Sequence, residues 1–152
     1  MIGKGDKVPD CAMRTDEGTP LSLTDLKGRS LAVFMVGDSF SPTVERLFDV
    51  LTRNVSRFLS LDVSPVAVIG ETVESLSTYR DRHDVPFLLV SDPMRILHDS
   101  MGSLGETAPA VWLINRESTV LDVIPMLPPT ELVSVTVDRA ARVMAEKSPS
   151  VN

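Results

Sequence analysis

Residues 31–45 read LAVFMVGDSFSPTVE, an apolar run followed by a Gly-Asp-Ser loop and the start of a helix. The apolar run from Ser30 to Val36 is typical of a strand that is buried on both faces of a sheet. Beyond the loop, Ser41 suits the N-cap, Pro42 the first helical position and Glu45 the first turn. A strand-loop-helix junction directs backbone N–H groups and a helix N-terminus toward the loop, where they would stabilise an anion or thiolate. The loop contains no cysteine.

The chain on the C-terminal side of this stretch alternates between helical and strand patterns. Apolar residues spaced by three and four predict an amphipathic helix from Pro42 to Leu59. The elements predicted after it are a strand Val63–Ile69, a helix Thr72–His83 capped by Thr72, a strand Pro86–Val90, a short helix capped by Ser91-Asp92-Pro93 and closed by Gly102, a loop 105–109, strands Ala110–Asn115 and Thr119–Ile124, and an amphipathic helix after Pro128. The last two strands are joined by a short turn, so they must be antiparallel.

The N-terminal segment predicts smaller elements. An extended lead-in over Gly3–Pro9 precedes a β-hairpin that turns at Asp16–Pro20, where Gly18 can take a positive φ. Thr24 is the expected N-cap of one helical turn that ends at Gly28. The whole order predicts an α/β protein with a mixed central sheet, helices on both faces and an N-terminal β-hairpin.

Composition and charge limit the classes of function. The 152 residues, 43% of them hydrophobic, fit a single domain over 1–152 whose polar tail, 147–152, is expected to fray. A formal net charge of −6 without a basic run argues against a nucleic-acid or membrane partner. Cys11, the only cysteine, cannot form an intramolecular disulfide, and the N-terminus lacks the apolar core of a secretory signal. We therefore expect a cytoplasmic protein without a membrane span.

Five short segments carry a family resemblance. They are GDKVPD at 5–10, GTPLSLTDLKG at 18–28, the strand and loop of 31–45, the helix 73–85 with the following PFLLVSDP at 86–93, and VWLIN at 111–115. In this order, over most of residues 3–125, they resemble peroxiredoxins of the alkyl hydroperoxide reductase/thiol-specific antioxidant family. The resemblance implies a thioredoxin-like fold and, as often in that family, a homodimer formed beside the active loop or through a sheet edge.

The resemblance does not extend to the chemistry of that family. Family members reduce peroxides with a thiolate at the helix N-terminus, within a Pro-x-x-x-Thr/Ser-x-x-Cys loop that positions the peroxide. An ungapped alignment places Val36 at the proline, Phe40 at the threonine and Thr43 at the cysteine. An alignment on Ser-Pro-Thr instead places Ser41 at the cysteine and inserts Val44. Either way, no cysteine occurs from residue 12 to 152.

The family's later arginine is a second departure. It would fall near Pro109, and the chain has no arginine between Arg95 and Arg116. Pro109 instead resembles the cis-proline that lies beside the active loop of thioredoxin-type proteins, so a cis Ala108–Pro109 bond is expected. A serine or threonine hydroxyl does not ionise unaided and cannot pass through a sulfenic acid. The sequence as written therefore excludes thiol-peroxidase chemistry by the family mechanism.

The candidate site is the former active-site pocket, for which we predict the residues Asp38, Ser39, Phe40, Ser41 and Pro109. Ser41 or Thr43 marks the vacated catalytic position, and we expect Cys11 to be a buried core thiol. His83 and His98 are expected to be surface residues, because neither has a second ligand at helical spacing. No metal or other cofactor is predicted.

Two functional hypotheses follow. The favoured one is a peroxiredoxin-like domain that has lost its peroxidase activity and binds a second copy, a protein partner or a small ligand in the old pocket. The alternative is a thiol-dependent antioxidant oxidoreductase that uses Cys11 or a partner's thiol. Ser41 could also be an engineered replacement of a cysteine, although Val36, Phe40 and the missing arginine argue against it. An exposed apolar patch near Phe40, Pro109 and Trp112 would favour dimerisation beside the loop.

Overall fold

A computed structural model describes residues 2–26, 28–37, 39–102 and 109–147. The strands in these ranges are β1 (Met13–Thr15), β2 (Pro20–Leu21), β3 (Ser30–Met35), β4 (Val63–Ile69), β5 (Leu88–Ser91), β6 (Pro109–Ile114) and β7 (Val120–Pro125). The helices are a 3-10 helix (Leu23–Leu26), α1 (Pro42–Leu59), α2 (Val73–Arg82), α3 (Ile96–Met101) and α4 (Pro129–Lys147). In the described ranges, no helix combines the length and apolar character needed to cross a membrane.

The strands form one mixed sheet in the order β2-β1-β5-β4-β3-β6-β7. The three central strands β5, β4 and β3 are parallel, with Val33 opposite Val66 and Val68 opposite Val90. The hairpin strands β1 and β2 and the final strands β6 and β7 pair antiparallel to their neighbours. The sheet confirms the predicted α/β class and the N-terminal hairpin. Because parallel strands end at a common edge, the segments after β3, β4 and β5 lie beside one another.

Alternating residues of β3 supply two apolar layers, one on each face of the sheet. Phe34 faces the layer of α1, α2 and α4, where its ring meets Phe58 edge-on at 6.2 Å between centroids. Val33 faces the other layer, which contains the 3-10 helix, α3 and Trp112. Burying a phenylalanine of this kind stabilises the fold by about 1.5–3 kcal/mol. The two layers confirm the prediction of helices on both faces.

The 3-10 helix begins two residues earlier than predicted. Ser22, not Thr24, precedes its first residue, and the Ser22 N–H donates to Asp25 Oδ2 at 2.8 Å. Thr24 lies inside the helix, and its hydroxyl donates to Asp10 Oδ1 at 3.1 Å. The prediction of Thr24 as the N-cap was wrong, because Ser22 and Asp25 together satisfy the first turn.

The short helix α3 starts later than predicted. Arg95 has a φ of 58°, so the chain after Asp92-Pro93 makes a turn before the helix begins at Ile96. The Asp92 carboxylate still accepts from the N–H groups of Leu97 (3.3 Å) and His98 (2.9 Å). Asp92 thus acts at the helix N-terminus as predicted, but across a longer turn. Residues 105–108 of the expected loop and 148–152 of the expected tail lie outside the described residues.

Candidate functional site

The loop after β3 is fixed to the end of β4. The Val36 N–H donates to the Val68 carbonyl at 3.0 Å, which extends the pairing of the two strands by one residue. Gly37 has a φ of 96°, a conformation that favours glycine, and its carbonyl accepts from the Gly70 N–H at 2.7 Å. Predicted site residue Asp38 lies outside the described residues. The two glycines therefore hold residues 39–41 at the carboxyl edge of the parallel strands.

Ser41 is the N-cap of α1, as predicted. Its Oγ accepts from the Val44 N–H at 3.2 Å, and its carbonyl accepts from the Glu45 N–H at 2.9 Å. Among the described residues no side chain forms a hydrogen bond with Ser41 Oγ, so none of them is placed as a general base for this hydroxyl. Thr43, the other candidate for the vacated position, is exposed in the first turn.

Phe40 joins the loop to α2 through an aromatic stack. Its ring lies parallel to Tyr79 at 4.4 Å between centroids, and Tyr79 in turn stacks on His83 at 4.0 Å. Phe48 of α1 meets the Phe40 ring edge-on at 6.0 Å. The Phe40 N–H donates to Glu71 Oε2 at 3.1 Å. One carboxylate and two rings thus contact Phe40, the residue that the ungapped alignment places at the threonine.

An open cavity of about 440 Å³, the aromatic cavity, lies beside this stack. Its lining residues are Phe40, Glu45, Glu74, Ser75, Thr78, Tyr79, Arg82 and His83. Burial, and then the charges of Asp49 and Glu45, raises the pKa of Tyr79 to about 12. The carboxylates thus make the potential at this hydroxyl negative, which would also disfavour a thiolate nearby.

Comparison with known proteins identifies the family. The model of the AhpC/TSA family matches residues 4–123. The chain belongs to the AhpC/TSA family. A Mycobacterium tuberculosis protein that carries a peroxiredoxin name is 28% identical over 102 residues, which are 67% of this chain and 65% of that protein. Peroxiredoxin Bcp of Bacillus subtilis is 25% identical over 88 residues, or 58% of this chain and 56% of Bcp.

Solved structures agree with the fold of this AhpC/TSA-family chain. Peroxidoxin BcpB of Mycobacterium tuberculosis superposes with a TM-score of 0.80 at 19% identity, covering 97% of this chain and 99% of BcpB. A Xylella fastidiosa PrxQ structure gives a TM-score of 0.81 at 16% identity, with 93% and 97% covered. The resemblance recognised in the sequence, including its thioredoxin-like fold, is confirmed.

Cys11 lies away from the former active-site loop in this AhpC/TSA-family chain. It packs against the layer of α3 and Trp112, on the other face of the sheet from α1. Its Sγ is 3.7 Å from Ser100 Oγ of α3. The thiol is half-buried, so the expectation of a buried core cysteine holds only in part. The structure therefore does not bring Cys11 together with Ser41.

The prediction of His98 as a surface residue was wrong. His98 is fully buried, and its Nδ1 is 2.7 Å from Asp92 Oδ2. Burial alone would raise the pKa of Asp92, but hydrogen bonds from His98 and from the Leu97 N–H hold it below its ordinary value. His98 Nε2 has no hydrogen-bond partner in the described part of the chain. His83 is exposed, as predicted.

The other two residues of the predicted apolar patch, Pro109 and Trp112, both belong to β6. Trp112 is fully buried and its Nε1 donates to the Ile2 carbonyl at 2.9 Å, so it adds nothing to an exposed apolar patch. Pro109 is the first residue of β6, and the isomer of the Ala108–Pro109 bond falls outside the described residues. The sequence predicted the helix α2 but not its part in the site, where Tyr79 stacks on Phe40. The three-residue spacing of Leu76 and Tyr79, which is typical of the inward side of a helix, was the only signal in the sequence.

A larger cavity of about 820 Å³ lies at the opposite edge of the sheet, where the parallel strands begin. Arg80 crosses it: its guanidinium pairs with the buried Asp16 carboxylate and donates to the carbonyls of Val85 (2.6 Å) and Phe87 (2.9 Å). These bonds join the hairpin turn, α2 and the start of β5. The Arg80 guanidinium therefore serves the fold at this edge, far from the loop of residues 39–41.

Proposed function

We propose that this AhpC/TSA-family chain has lost thiol-peroxidase activity and acts by binding at its former active-site loop. One observation carries the proposal: Ser41, the residue at the helix N-terminus, is a hydroxyl already engaged with the Val44 N–H, while the only thiol, Cys11, packs on the other face of the sheet. A peroxidase of this family needs a thiolate that becomes a sulfenic acid, and a hydroxyl cannot follow that route.

The charges around the loop support the same proposal. Glu71 accepts a hydrogen bond from the loop backbone, and Glu45 and Glu74 line the adjoining aromatic cavity together with one cation, Arg82. A peroxidatic thiolate is stabilised by a positive environment, and carboxylates raise the pKa of a nearby thiol. The surroundings of Ser41 therefore fit a site from which the thiolate chemistry has been removed.

The aromatic cavity is the feature that a bound ligand or partner would use. It combines ring surfaces with exposed carboxylates at the edge of the sheet where open α/β sheets hold their ligands. The cytoplasmic location and the homodimer predicted from the sequence belong to this proposal as expectations, to be measured by fractionation and by sedimentation.

The alternative function is a thiol oxidoreductase that uses Cys11. The observation in its favour is that Cys11 is only half-buried, and relatives of the chain are named peroxiredoxins. In this alternative the thiolate of Cys11 would attack the peroxide oxygen, releasing water or an alcohol and leaving a sulfenic acid that an added thiol reduces.

Peroxide consumption with dithiothreitol as reductant separates the two functions. The proteins compared are the purified chain, Cys11→Ala, Ser41→Cys and, as a matched control for the vacated position, Thr43→Cys. We expect rates equal to the buffer blank for the first two, with any gain confined to one of the introduced thiols. Turnover in the purified chain that disappears in Cys11→Ala would refute the proposal and establish the oxidoreductase.

A further inference from the structure

The first turn of α2 separates two cavities at the carboxyl edge of the sheet. On one side is the aromatic cavity, and on the other is an open cavity of about 520 Å³, the apolar cavity. Both are lined by Glu74. The apolar cavity is lined by Ala12, Met13, Arg14, Pro20, Thr72, Val73, Glu74, Ser91, Asp92, Pro93, Met94 and Ile96. Glu74 therefore borders both cavities.

Large apolar side chains are exposed at the apolar cavity. Met94 is 76% exposed and Ile96 is 53% exposed, and Val73 adds a half-buried neighbour. Adjacent exposed apolar residues of this kind mark interaction sites, and methionine adapts its shape to different partners. The apolar cavity is therefore suited to one apolar side chain of a bound segment.

The charged groups of this surface favour a basic occupant. The side chains of Glu45 and Glu74 form no ion pair with any described residue, so their charges are not neutralised locally. Arg14 lines only the apolar cavity, whereas the aromatic cavity is lined by two carboxylates, Glu45 and Glu74, and one guanidinium, Arg82. Burial is the main cause of the raised pKa of Tyr79, and the negative charges of Asp49 and Glu45 raise it further. A guanidinium stacks on aromatic rings and pairs with carboxylates, and its alkyl stem packs on apolar surface.

We propose that the first turn of α2 is the docking surface for a basic segment of a protein partner, which places an arginine in the aromatic cavity and a neighbouring apolar side chain in the apolar cavity. This inference rests on the proposed binding function and names the class of partner. A second copy of the chain fits less well, because an isologous interface would place two copies of the same carboxylate-bearing surface face to face, and each chain carries a net charge of −6.

The experiment uses the full chain and a defined probe, the acetylated and amidated peptide Arg-Ala-Leu-Gly-Ser. Binding is followed through backbone amide NMR shifts during a titration at low salt. We expect the shifted amides to cluster at Phe40 and residues 72–79. Two control peptides test the anchors: citrulline in place of arginine removes the charge at constant shape, and alanine in place of leucine removes the apolar anchor. Each should bind about threefold more weakly or worse.

Matched variants of the chain test the surface itself. Glu74→Gln and Ile96→Ser should each weaken the binding of the arginine peptide by about threefold or more. The controls are Glu117→Gln, an exposed carboxylate at the opposite edge, and Leu59→Ser, an equally exposed apolar residue at the end of α1. Both controls should bind the peptide as the natural chain does. Equal binding of the citrulline peptide, or shifts that map to the cavity around Arg80, would overturn the inference.

Self-association is the competing outcome. Sedimentation of the chain alone over a range of concentrations would overturn the proposed partner class if it shows a dimer that Ile96→Ser abolishes. The failure of this inference and that of the proposed function are distinguishable. Peroxide turnover by the purified chain refutes the loss of activity even if the peptide binds, whereas absence of both turnover and peptide binding refutes only the docking surface.

Discussion

Replacement of the buried Asp92 carboxylate tests the part of the structure that sequence reasoning described least well. Asp92 is 3% exposed and accepts three hydrogen bonds, from the N–H groups of Leu97 (3.3 Å) and His98 (2.9 Å) and from His98 Nδ1 (2.7 Å). Asp92→Ala leaves these donors without a partner. A stranded buried donor costs about 1–3 kcal/mol and a lost helix cap about 1 kcal/mol, so we expect the free energy of unfolding to fall by about 3 kcal/mol.

A double-mutant cycle measures how much of this loss in unfolding free energy comes from the hydrogen bond between Asp92 and the His98 ring. His98→Leu removes the Nδ1 donor together with the unpartnered Nε2, so by itself it should cost about 1 kcal/mol or less. In the double variant, Asp92→Ala no longer strands an imidazole N–H. The double variant should therefore lose about 1.5 kcal/mol less unfolding free energy than the sum of the losses in the two single variants. Urea unfolding, followed by circular dichroism and by the single Trp112, measures all four free energies.

The pH dependence of the Asp92→Ala effect provides an independent check. Because the folded pKa of Asp92 lies below its ordinary value of 3.8, the carboxylate stabilises the fold above that value and loses its contribution as the pH falls through the folded pKa. The penalty for Asp92→Ala should therefore be constant near neutral pH and shrink in acid. Additive effects to within about 0.5 kcal/mol in the cycle, or a penalty unchanged in acid, would refute the hydrogen bonds described here.

Two further predictions concern α2. Tyr79 is the only tyrosine, so ultraviolet titration should give a phenol midpoint near its pKa of about 12, and Glu45→Gln should lower that midpoint. Because this pKa is raised above its ordinary value of 10.0, Tyr79 should stabilise the fold below pH 10.0 and lose that contribution as the pH rises toward 12. A titration midpoint near 10 would contradict the buried stack. Arg80→Ala leaves the buried Asp16 carboxylate without its ion pair, so the free energy of unfolding measured in urea should fall by about 2 kcal/mol. Arg80→Lys should give an intermediate loss. An unchanged urea midpoint would contradict the role of Arg80.

Apolar runs and capping residues made much of the fold predictable. The bounds of β4 agree with the sequence prediction, and α1 begins at Pro42 with Ser41 as its cap. Continuous apolar runs specify buried parallel strands, and proline at the first helical position fixes a helix start. The start of α3 was missed because Asp92 reaches the N–H groups of residues five and six positions ahead, across a turn. Residue spacing does not encode such a contact.

The candidate site was predictable only where it depends on local chain geometry. Ser41 and Phe40 follow from the strand-loop-helix pattern, but the stacking of Phe40 on Tyr79 joins residues from separate elements, and only the fold determines that contact. The position of His98 was missed for the same reason: a histidine enters the core only if a partner such as Asp92 is there to accept its N–H. The partial exposure of Cys11 likewise depends on how α3 packs over it.

The N-terminus of α1 shows how the fold can persist without the chemistry. A helix N-cap requires an oxygen that accepts from a backbone N–H two or three residues ahead, and the hydroxyl of Ser41 meets this requirement through the Val44 N–H. A thiolate at the same place would be a weaker hydrogen-bond acceptor and would need a positive environment, whereas the nearby Glu45 and Glu71 are negatively charged. Serine therefore stabilises α1 in the existing charge environment, whereas Ser41→Cys alone would supply a thiol without the groups that activate it. Restoring peroxidase activity should consequently require a change at these carboxylates as well as at Ser41.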